Sequence, residues 1–117
     1  LGTGGLVSFG RGEGGQLGHG DTSDRLSPTV IQGLTGVKSC SAGHEHSLCV
    51  LDTGGLVSFG WGGYGQLGHG DTSSRLVPTR ISSIGFAVAA LAGGSTSMIL
   101  NLGRPGMKSV IQGLAAT

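Results

Sequence analysis

The first hundred residues of this chain hold two copies of one pattern, offset by 50 positions. Gly-Gly-Leu-Val-Ser-Phe-Gly at 4–10 recurs at 54–60, Gln-Leu-Gly-His-Gly-Asp-Thr-Ser at 16–23 recurs at 66–73, and Pro-Thr at 28–29 recurs at 78–79. A period of about 20–50 residues is typical of solenoids, propellers and related arrays, in which each unit buries its apolar face against the next. The chain is therefore expected to fold as a row of similar units.

Each unit contains short extended runs that end at glycine or at a turn. The predicted strands of one full unit are 37–42, 47–51, 56–59 and, introduced by Pro78, 79–81. Extended runs joined by a short turn such as Asp-Thr-Gly-Gly form β-hairpins. Four short antiparallel strands within one repeat describe a propeller blade. We predict an all-β fold, a partial β-propeller of about two blades of four-stranded antiparallel sheet.

The predicted blades divide the chain into four segments. These are a half blade at 1–36, a complete blade at 37–81, a half blade at 82–100 and a truncated third repeat at 101–117. We infer the truncation from Val-Ile-Gln-Gly-Leu at 110–114, which repeats residues 30–34. The offset is 80 where two periods would give 100, so about twenty residues of the third repeat are missing. Open half blades leave apolar faces and strand edges uncovered, so the isolated chain is expected to self-associate.

Composition excludes several classes of function. The formal net charge is +1 and the seven Lys and Arg residues are scattered, so no direct nucleic-acid binding is expected. No apolar run approaches the ~20 residues that a membrane-spanning helix needs. The chain opens at Leu1 without a secretory leader, and two cysteines do not make a disulfide framework. We expect an intracellular protein of the cytoplasm and/or nucleus, and a sequence that begins inside a longer one.

The long repeated motif points to a known family. Gly-Gln-Leu-Gly-His-Gly-Asp at 15–21 and 65–71, followed by Pro-Thr and by Ala-Gly-x-x-x-Ser at 42–47, resembles the repeat of the regulator of chromosome condensation family. The resemblance covers residues 1–100. The amino-acid sequence at 8–21 is most similar to that of the family's plant ultraviolet-B photoreceptors. It implies a fragment of a seven-bladed propeller, and a protein partner such as a small GTPase or a chromatin-associated protein.

The repeated loop motif carries chemically capable side chains that we interpret as structural. It places a histidine and an aspartate at equivalent positions of both copies, in Gly18, His19, Gly20, Asp21 and Gly68, His69, Gly70, Asp71. A histidine could act in acid–base chemistry or bind a metal. Because the whole motif is duplicated, we favour a ring that satisfies neighbouring backbone groups. The aspartates suit turns in which the carboxylate accepts local backbone N–H groups.

A second group of side chains has the composition of a zinc site without its spacing. Cys40, His44, His46 and Cys49 are all zinc-ligand types, but they do not form two short ligand turns on separate elements. The equivalent residues of the second copy are Ala90, Gly94, Thr96 and Ile99. We therefore predict no metal site and assign the four residues to packing or to loops. No cofactor is predicted.

Partner contacts are predicted at the tips of the long loops, where the two copies differ between similar flanks. The predicted contact residues are Arg11, Glu13, Trp61 and Tyr64. Binding residues concentrate on loops held by a rigid frame, and Trp, Tyr and Arg are enriched at interface hot spots. Packing at the end of a strand is the alternative role for Trp61. No pattern of catalytic residues stands out, so we predict that the chain is not an enzyme.

Three functions follow from these observations. The first is a non-catalytic scaffold for protein–protein interaction. The second is guanine-nucleotide exchange on a small GTPase, which the family resemblance implies but which depends on an inserted wedge absent from the regular spacing here. The third is ultraviolet-B sensing, which in the family uses tryptophans of a Gly-Trp-Arg-His-Thr motif. The aligned segments here, 43–47 and 93–97, contain no tryptophan.

Overall fold

The computed structural model of the chain describes residues 4–82 and 87–101. Within these residues the backbone forms eight strands and no helix. They are β1 (Val7–Gly10), β2 (Arg25–Val30), β3 (Val37–Ala42), β4 (His46–Leu51), β5 (Leu56–Gly60), β6 (Arg75–Arg80), β7 (Ala87–Gly93) and β8 (Thr96–Asn101). The described part of the chain has no helix that could cross a membrane.

The eight strands form three antiparallel sheets in chain order. A central four-stranded sheet, β3-β4-β5-β6, lies between two two-stranded sheets, β1-β2 and β7-β8. The pairing Val7↔Val30 in β1-β2 has the same register as Val57↔Arg80 in β5-β6. Sheet β7-β8 likewise repeats the register of β3-β4. The predicted all-β fold, a partial propeller of antiparallel sheets, is confirmed.

Glycine ends the strand that leads into each long loop. Gly10 and Gly60 have φ values of +108° and +114°, and the strand register shifts just before each of them. A Cβ atom on Gly60 would also lie 2.4 Å from the carbonyl oxygen of Glu45. Only glycine fits such a conformation beside a neighbouring backbone. The recurring Ser-Phe-Gly therefore stops the strand and turns the chain into the loop.

The last strand of the complete sheet differs from its prediction. The sequence indicated a strand at 79–81 introduced by Pro78, whereas β6 begins at Arg75 and ends at Arg80 with Pro78 in its interior. Strand β6 is the outer edge of its sheet. Proline is tolerated there because the edge needs no N–H donor on its open side. Pro28 occupies the same position in β2.

The two middle strands of the central sheet, β4 and β5, are buried on both faces, as expected for a propeller blade. One apolar cluster joins the central sheet to sheet β1-β2 and consists of Ile31, Leu34, Cys49, Val57 and Phe59. The other face carries Val50, Leu56 and Ile81, against which Ala90 of β7 packs. Strand β5 is buried along its whole length. The core therefore lies between the sheets rather than within any one of them.

Cys40 and Cys49 form a disulfide between the first two strands of the central sheet. They lie directly opposite each other in the β3–β4 register, with Cα atoms 4.1 Å apart. The sequence analysis did not anticipate this pair, because it judged two cysteines only as a potential framework. Their nine-residue separation across a tight hairpin was the missed signal. The proposed truncated third repeat lies, beyond Asn101, outside the described residues.

Candidate protein-interaction face

The two long loops, 11–24 and 61–74, share one backbone conformation. The amides of Gly15 and Gly65 donate to the carbonyl oxygens three residues earlier, each at 2.9 Å. The amides of Gly18 and Gly68 repeat this arrangement at 3.1 Å. The φ values of these four glycines are all positive, a conformation that glycine adopts without steric cost. The shared sequence therefore produces a shared loop shape.

A serine on the preceding strand ties each loop histidine to the sheet. Ser58 Oγ donates to the carbonyl of Leu67 at 2.8 Å and lies 2.9 Å from His69 Nε2. Ser8 makes the same two bonds in the first copy, to Leu17 at 2.7 Å and His19 at 2.9 Å. Since the hydroxyl proton goes to the carbonyl, we assign the histidine as donor to the hydroxyl. Both rings are engaged in holding the loop.

The loop aspartates close the far end of the same loop. Asp71 Oδ1 accepts from the amide of Ser73 and Oδ2 pairs with Arg75, both at 3.1 Å. Asp21 makes the equivalent contacts with the amide of Ser23 and with Arg25. The hydrogen bond from Arg75, followed by that from the Ser73 amide, lowers the pKa of Asp71. These carboxylates therefore fix the loop to the start of the following strand.

The loop tips carry the four predicted contact residues. Arg11 and Glu13 form an ion pair in which both side chains are largely exposed. Trp61 and Tyr64 pack edge to face, with ring centroids 5.0 Å apart and ring planes at 88°. Tyr64 is 73% exposed, while Trp61 is half-buried. The ring of Trp61 thus packs against Tyr64 and borders the surface, and its contact with a partner stays a prediction.

A groove of about 540 Å³ runs between the two loop tips. Its lining residues are Arg11, His44, Glu45, Trp61, Tyr64, Gln66 and Ser95. Three of the four predicted contact residues therefore lie on one concave surface, whereas Glu13 does not line it and is linked to it only through its ion pair with Arg11. Sequence reasoning missed the contribution of the β3–β4 and β7–β8 turns. The change from His-Glu at 44–45 to Gly-Ser at 94–95 was a signal of the same kind as the loop differences.

Hydrogen bonds between neighbouring repeats hold this groove in shape. Ser47 Oγ donates to the carbonyl of Gln16 at 2.9 Å, and Ser97 Oγ donates to that of Gln66 at 2.7 Å. The amide of Trp61 donates to the carbonyl of Glu45 at 2.8 Å. These bonds connect each long loop to a strand or turn of the sheet beside it. The groove is therefore built on a fixed frame.

The four residues considered as zinc ligands have separate roles in the structure. Cys40 and Cys49 are joined to each other, and His44 lines the groove. His46 is fully buried and its Nε2 lies 2.9 Å from Ser97 Oγ. Burial lowers the pKa of His46. Across residues 4–82 and 87–101, no three His, Cys, Asp or Glu side chains are grouped to hold a metal ion.

Comparisons with known proteins agree with this architecture. The chain is 49% identical over 45 residues to the ultraviolet-B receptor UVR8 of Arabidopsis thaliana, which covers 37% of this chain and 10% of the receptor. Among solved structures, human WBSCR16 superposes with a TM-score of 0.74 at 30% identity, covering 85% of this chain and 26% of that one. Prp20p of Saccharomyces cerevisiae superposes with a TM-score of 0.70 at 27% sequence identity. The match covers 79% of this chain and 25% of Prp20p.

The chain thus spans a small part of each of these relatives. The sequence profile named Regulator of chromosome condensation (RCC1) repeat matches it twice, at residues 3–50 and 53–100. Together the two matches cover most of the 117 residues. The family resemblance predicted from the loop motif is confirmed, and the chain belongs to the regulator of chromosome condensation repeat family.

Proposed function

We propose that this chain is part of a non-catalytic propeller scaffold that binds a protein partner through the groove between its loop tips. The observation that carries the proposal is the convergence of the variable residues. Arg11, Trp61 and Tyr64 come from different repeats, yet they line one concave surface behind which the repeated motif is rigidly bonded. Variable tips on an invariant frame are typical of a binding surface.

The chemistry of the groove suits a polypeptide with both apolar and charged groups. Trp61 and Tyr64 offer flat ring surfaces that are exposed in part. Arg11 and Glu45 add one positive and one negative side chain to the lining of the same groove. Aromatic residues and arginine supply much of the binding free energy at protein interfaces. A partner segment that inserts an apolar side chain between two polar contacts would match this surface.

The comparisons support a partner of a particular class. The crystal structure of Prp20p was described together with the binding of Prp20p to Gsp1p and to histones. For the present chain we propose a small GTPase or a chromatin protein as the partner, met in the nucleus or cytoplasm. Guanine-nucleotide exchange is the second candidate, favoured by the Gsp1p binding of Prp20p. The regular spacing of the two repeats provides no inserted segment for that reaction.

Ultraviolet-B sensing has weaker support from the residues. The chain's one tryptophan, Trp61, lies on a long loop, whereas segments 43–47 and 93–97 carry none. Paired tryptophans at those turns would be the feature needed for the photoreceptor function implied by the family. Irradiation at ultraviolet-B wavelengths is therefore expected to leave the oligomeric state unchanged in size-exclusion chromatography.

Binding measurements on groove variants test the scaffold proposal. The probes are core histones and a nucleotide-free small GTPase, each titrated against the immobilised chain. Combined Trp61→Ala and Tyr64→Ala substitutions should weaken binding by about 30-fold or more, the loss of a hot-spot contact. Val30→Ala is the matched control, because Val30 is exposed on β2 away from the groove. Equal affinity of the groove variant and the wild type, with unchanged circular dichroism, would contradict the proposal.

A further inference from the structure

The groove between the loop tips combines two aromatic rings with a carboxylate, in walls formed by the long loops and the β3–β4 and β7–β8 turns. Trp61, Tyr64 and Glu45 all line it. We propose that the groove takes a lysine or arginine side chain from a basic segment of the protein partner, with the cation beside Glu45 and the apolar stem against the two rings. This inference rests on the proposed function, and it names the chemistry of the segment that the scaffold binds.

The rings of Trp61 and Tyr64 form a corner with two aromatic walls, because their planes are nearly perpendicular. The indole ring lies over Gly63, where the Cβ atom of any other residue would collide with it. A ring face attracts a cation that lies within about 6 Å of its centroid. The methylene stems of lysine and arginine also pack along apolar surfaces while their charged ends stay near polar groups. The corner therefore suits a side chain that joins an apolar stem to a cation.

Glu45 supplies a negative charge that this chain leaves uncompensated. Its residue is half-buried, and among residues 4–82 and 87–101 it has no ion-pair partner. The cation that also lines the groove, Arg11, is bound to Glu13 instead. A carboxylate that is partly withdrawn from water gains from a charge-assisted hydrogen bond with a cation. Glu45 is therefore the group in the groove to which an incoming ammonium or guanidinium would bind.

Backbone contacts hold Glu45 next to the aromatic corner. Its carbonyl oxygen accepts the amide hydrogen of Trp61, with nitrogen and oxygen 2.8 Å apart. A Cβ atom on Gly14 would lie 3.1 Å from the Cβ of Trp61 and 3.3 Å from the Cβ of Glu45. The two side chains thus leave the backbone on either side of one glycine. The carboxylate and the indole ring are therefore close enough for one long cationic side chain to contact both.

The charges around the groove favour a basic segment over an acidic one. The hydrogen bond to Glu13 raises the pKa of the Arg11 guanidinium, and the negative charges of Glu13, Glu45 and Asp24 raise it further. These three carboxylates outnumber the one guanidinium, with histidine counted as neutral. Their combined field attracts an incoming cation and opposes an incoming carboxylate. Charge complementarity therefore agrees with the chemistry of the corner.

Fluorescence titration with peptides tests this inference, because Trp61 is the one tryptophan of the chain and lines the groove. The probe is a short Gly-Ser peptide that carries one lysine and one arginine. Two control peptides replace both residues by norleucine or by glutamate. The basic peptide should change the Trp61 emission and bind at least about tenfold more tightly than either control, since it adds an ion pair and cation–π contacts. Calorimetry detects any binding that leaves the emission unchanged.

Charge-removing variants assign the binding to individual side chains. Glu45→Gln should weaken binding of the basic peptide by about fivefold, the upper range for a partly exposed ion pair. Asp52→Asn is the matched control, because it removes the same charge from an exposed turn residue that does not line the groove. It should leave the affinity unchanged. Arg11→Gln should strengthen binding by about twofold, since it removes a like charge.

The outcomes separate this inference from the scaffold proposal. Tighter binding of the glutamate peptide, lost in Arg11→Gln, would overturn the inference and leave a groove that binds acidic segments. Equal affinities for the basic and norleucine peptides, or an unchanged affinity in Glu45→Gln, would also overturn it. The scaffold proposal itself depends on the histone and GTPase titrations with the Trp61→Ala and Tyr64→Ala chain, which do not involve Glu45.

Discussion

The segments Leu6–Gly10 and Leu56–Gly60 have the same sequence, Leu-Val-Ser-Phe-Gly, in two different surroundings. Each leads into its own long loop, the two loops have the same conformation, and each segment pairs with its following strand in the same register. In the central sheet this strand is buried along its length, whereas in the first sheet most of its side chains are exposed. Local sequence thus determines the strand, the glycine stop and the loop, while neighbouring strands determine burial. The four predictions below use such matched positions.

Truncating the repeated phenylalanine should give the largest difference between the two copies. Phe59→Ala removes a ring from the core and is expected to cost about 3–5 kcal/mol in the free energy of unfolding. Phe9→Ala should cost under about 1 kcal/mol, because an exposed ring contributes little. Urea unfolding of the two variants measures both losses. Similar losses at the two positions would show that burial does not separate the copies.

The strand-ending glycines provide a backbone version of the same test. Gly10→Ala should cost about 1–3 kcal/mol, because the positive φ is unfavourable for any residue with a Cβ atom. Gly60→Ala should cost more, since its Cβ would also meet the Glu45 carbonyl, whereas a Cβ on Gly10 meets nothing within 4 Å. Thermal unfolding of the two variants compares them directly. A Gly10 variant that is the less stable of the two would contradict this reasoning.

Removing the serine beneath each loop should produce a smaller difference. Ser58→Ala leaves the Leu67 carbonyl and the His69 ring without their partner in a buried site, at a cost of about 1–3 kcal/mol. The Ser8 site is only partly buried, so water can replace the lost hydroxyl and the cost should be lower. Hydrogen exchange of the loop amides would localise the effect. Equal losses of hydrogen-exchange protection in the two loops, after Ser58→Ala and after Ser8→Ala, would contradict the expected difference.

The smallest expected effect concerns pH at His46, the first residue of β4. Burial lowers the pKa of His46 in the folded chain, so protonation favours the unfolded state. Stability is unaffected while the ring is neutral in both states and falls as the pH drops below about 6.5, the usual value. His46→Thr introduces the residue found at the equivalent position 96 and should reduce this slope between pH 7 and 5. Denaturant midpoints measured at several pH values give the dependence of stability on pH for both chains. A variant with the same dependence as the wild type would contradict the prediction.

The features predicted from sequence are those that the repeat encodes locally. The 50-residue period, the glycines and the alternation of short strands predicted the sheets, and the divergent loop tips predicted three residues of the groove. The Cys40–Cys49 bond and the position of Pro78 inside β6 depend on strand register and on which edge is open. The spacing of the two cysteines across a hairpin was a readable signal for the first, whereas the second cannot be read along the chain. His44 and Glu45 enter the groove because two sheets converge, which is a tertiary effect.

Two of the hydrogen bonds between repeats, those donated by Ser47 and Ser97, end on the main-chain carbonyls of Gln16 and Gln66. A carbonyl is present whatever amino acid occupies the position, so these bonds place no demand on the side chains of the loop tips. Mutations at Arg11, Glu13, Trp61 and Tyr64 can accumulate without changing the angle between blades. Such an arrangement makes recognition evolvable at low structural risk, and it recommends these four positions for randomised libraries displayed on an otherwise unchanged backbone.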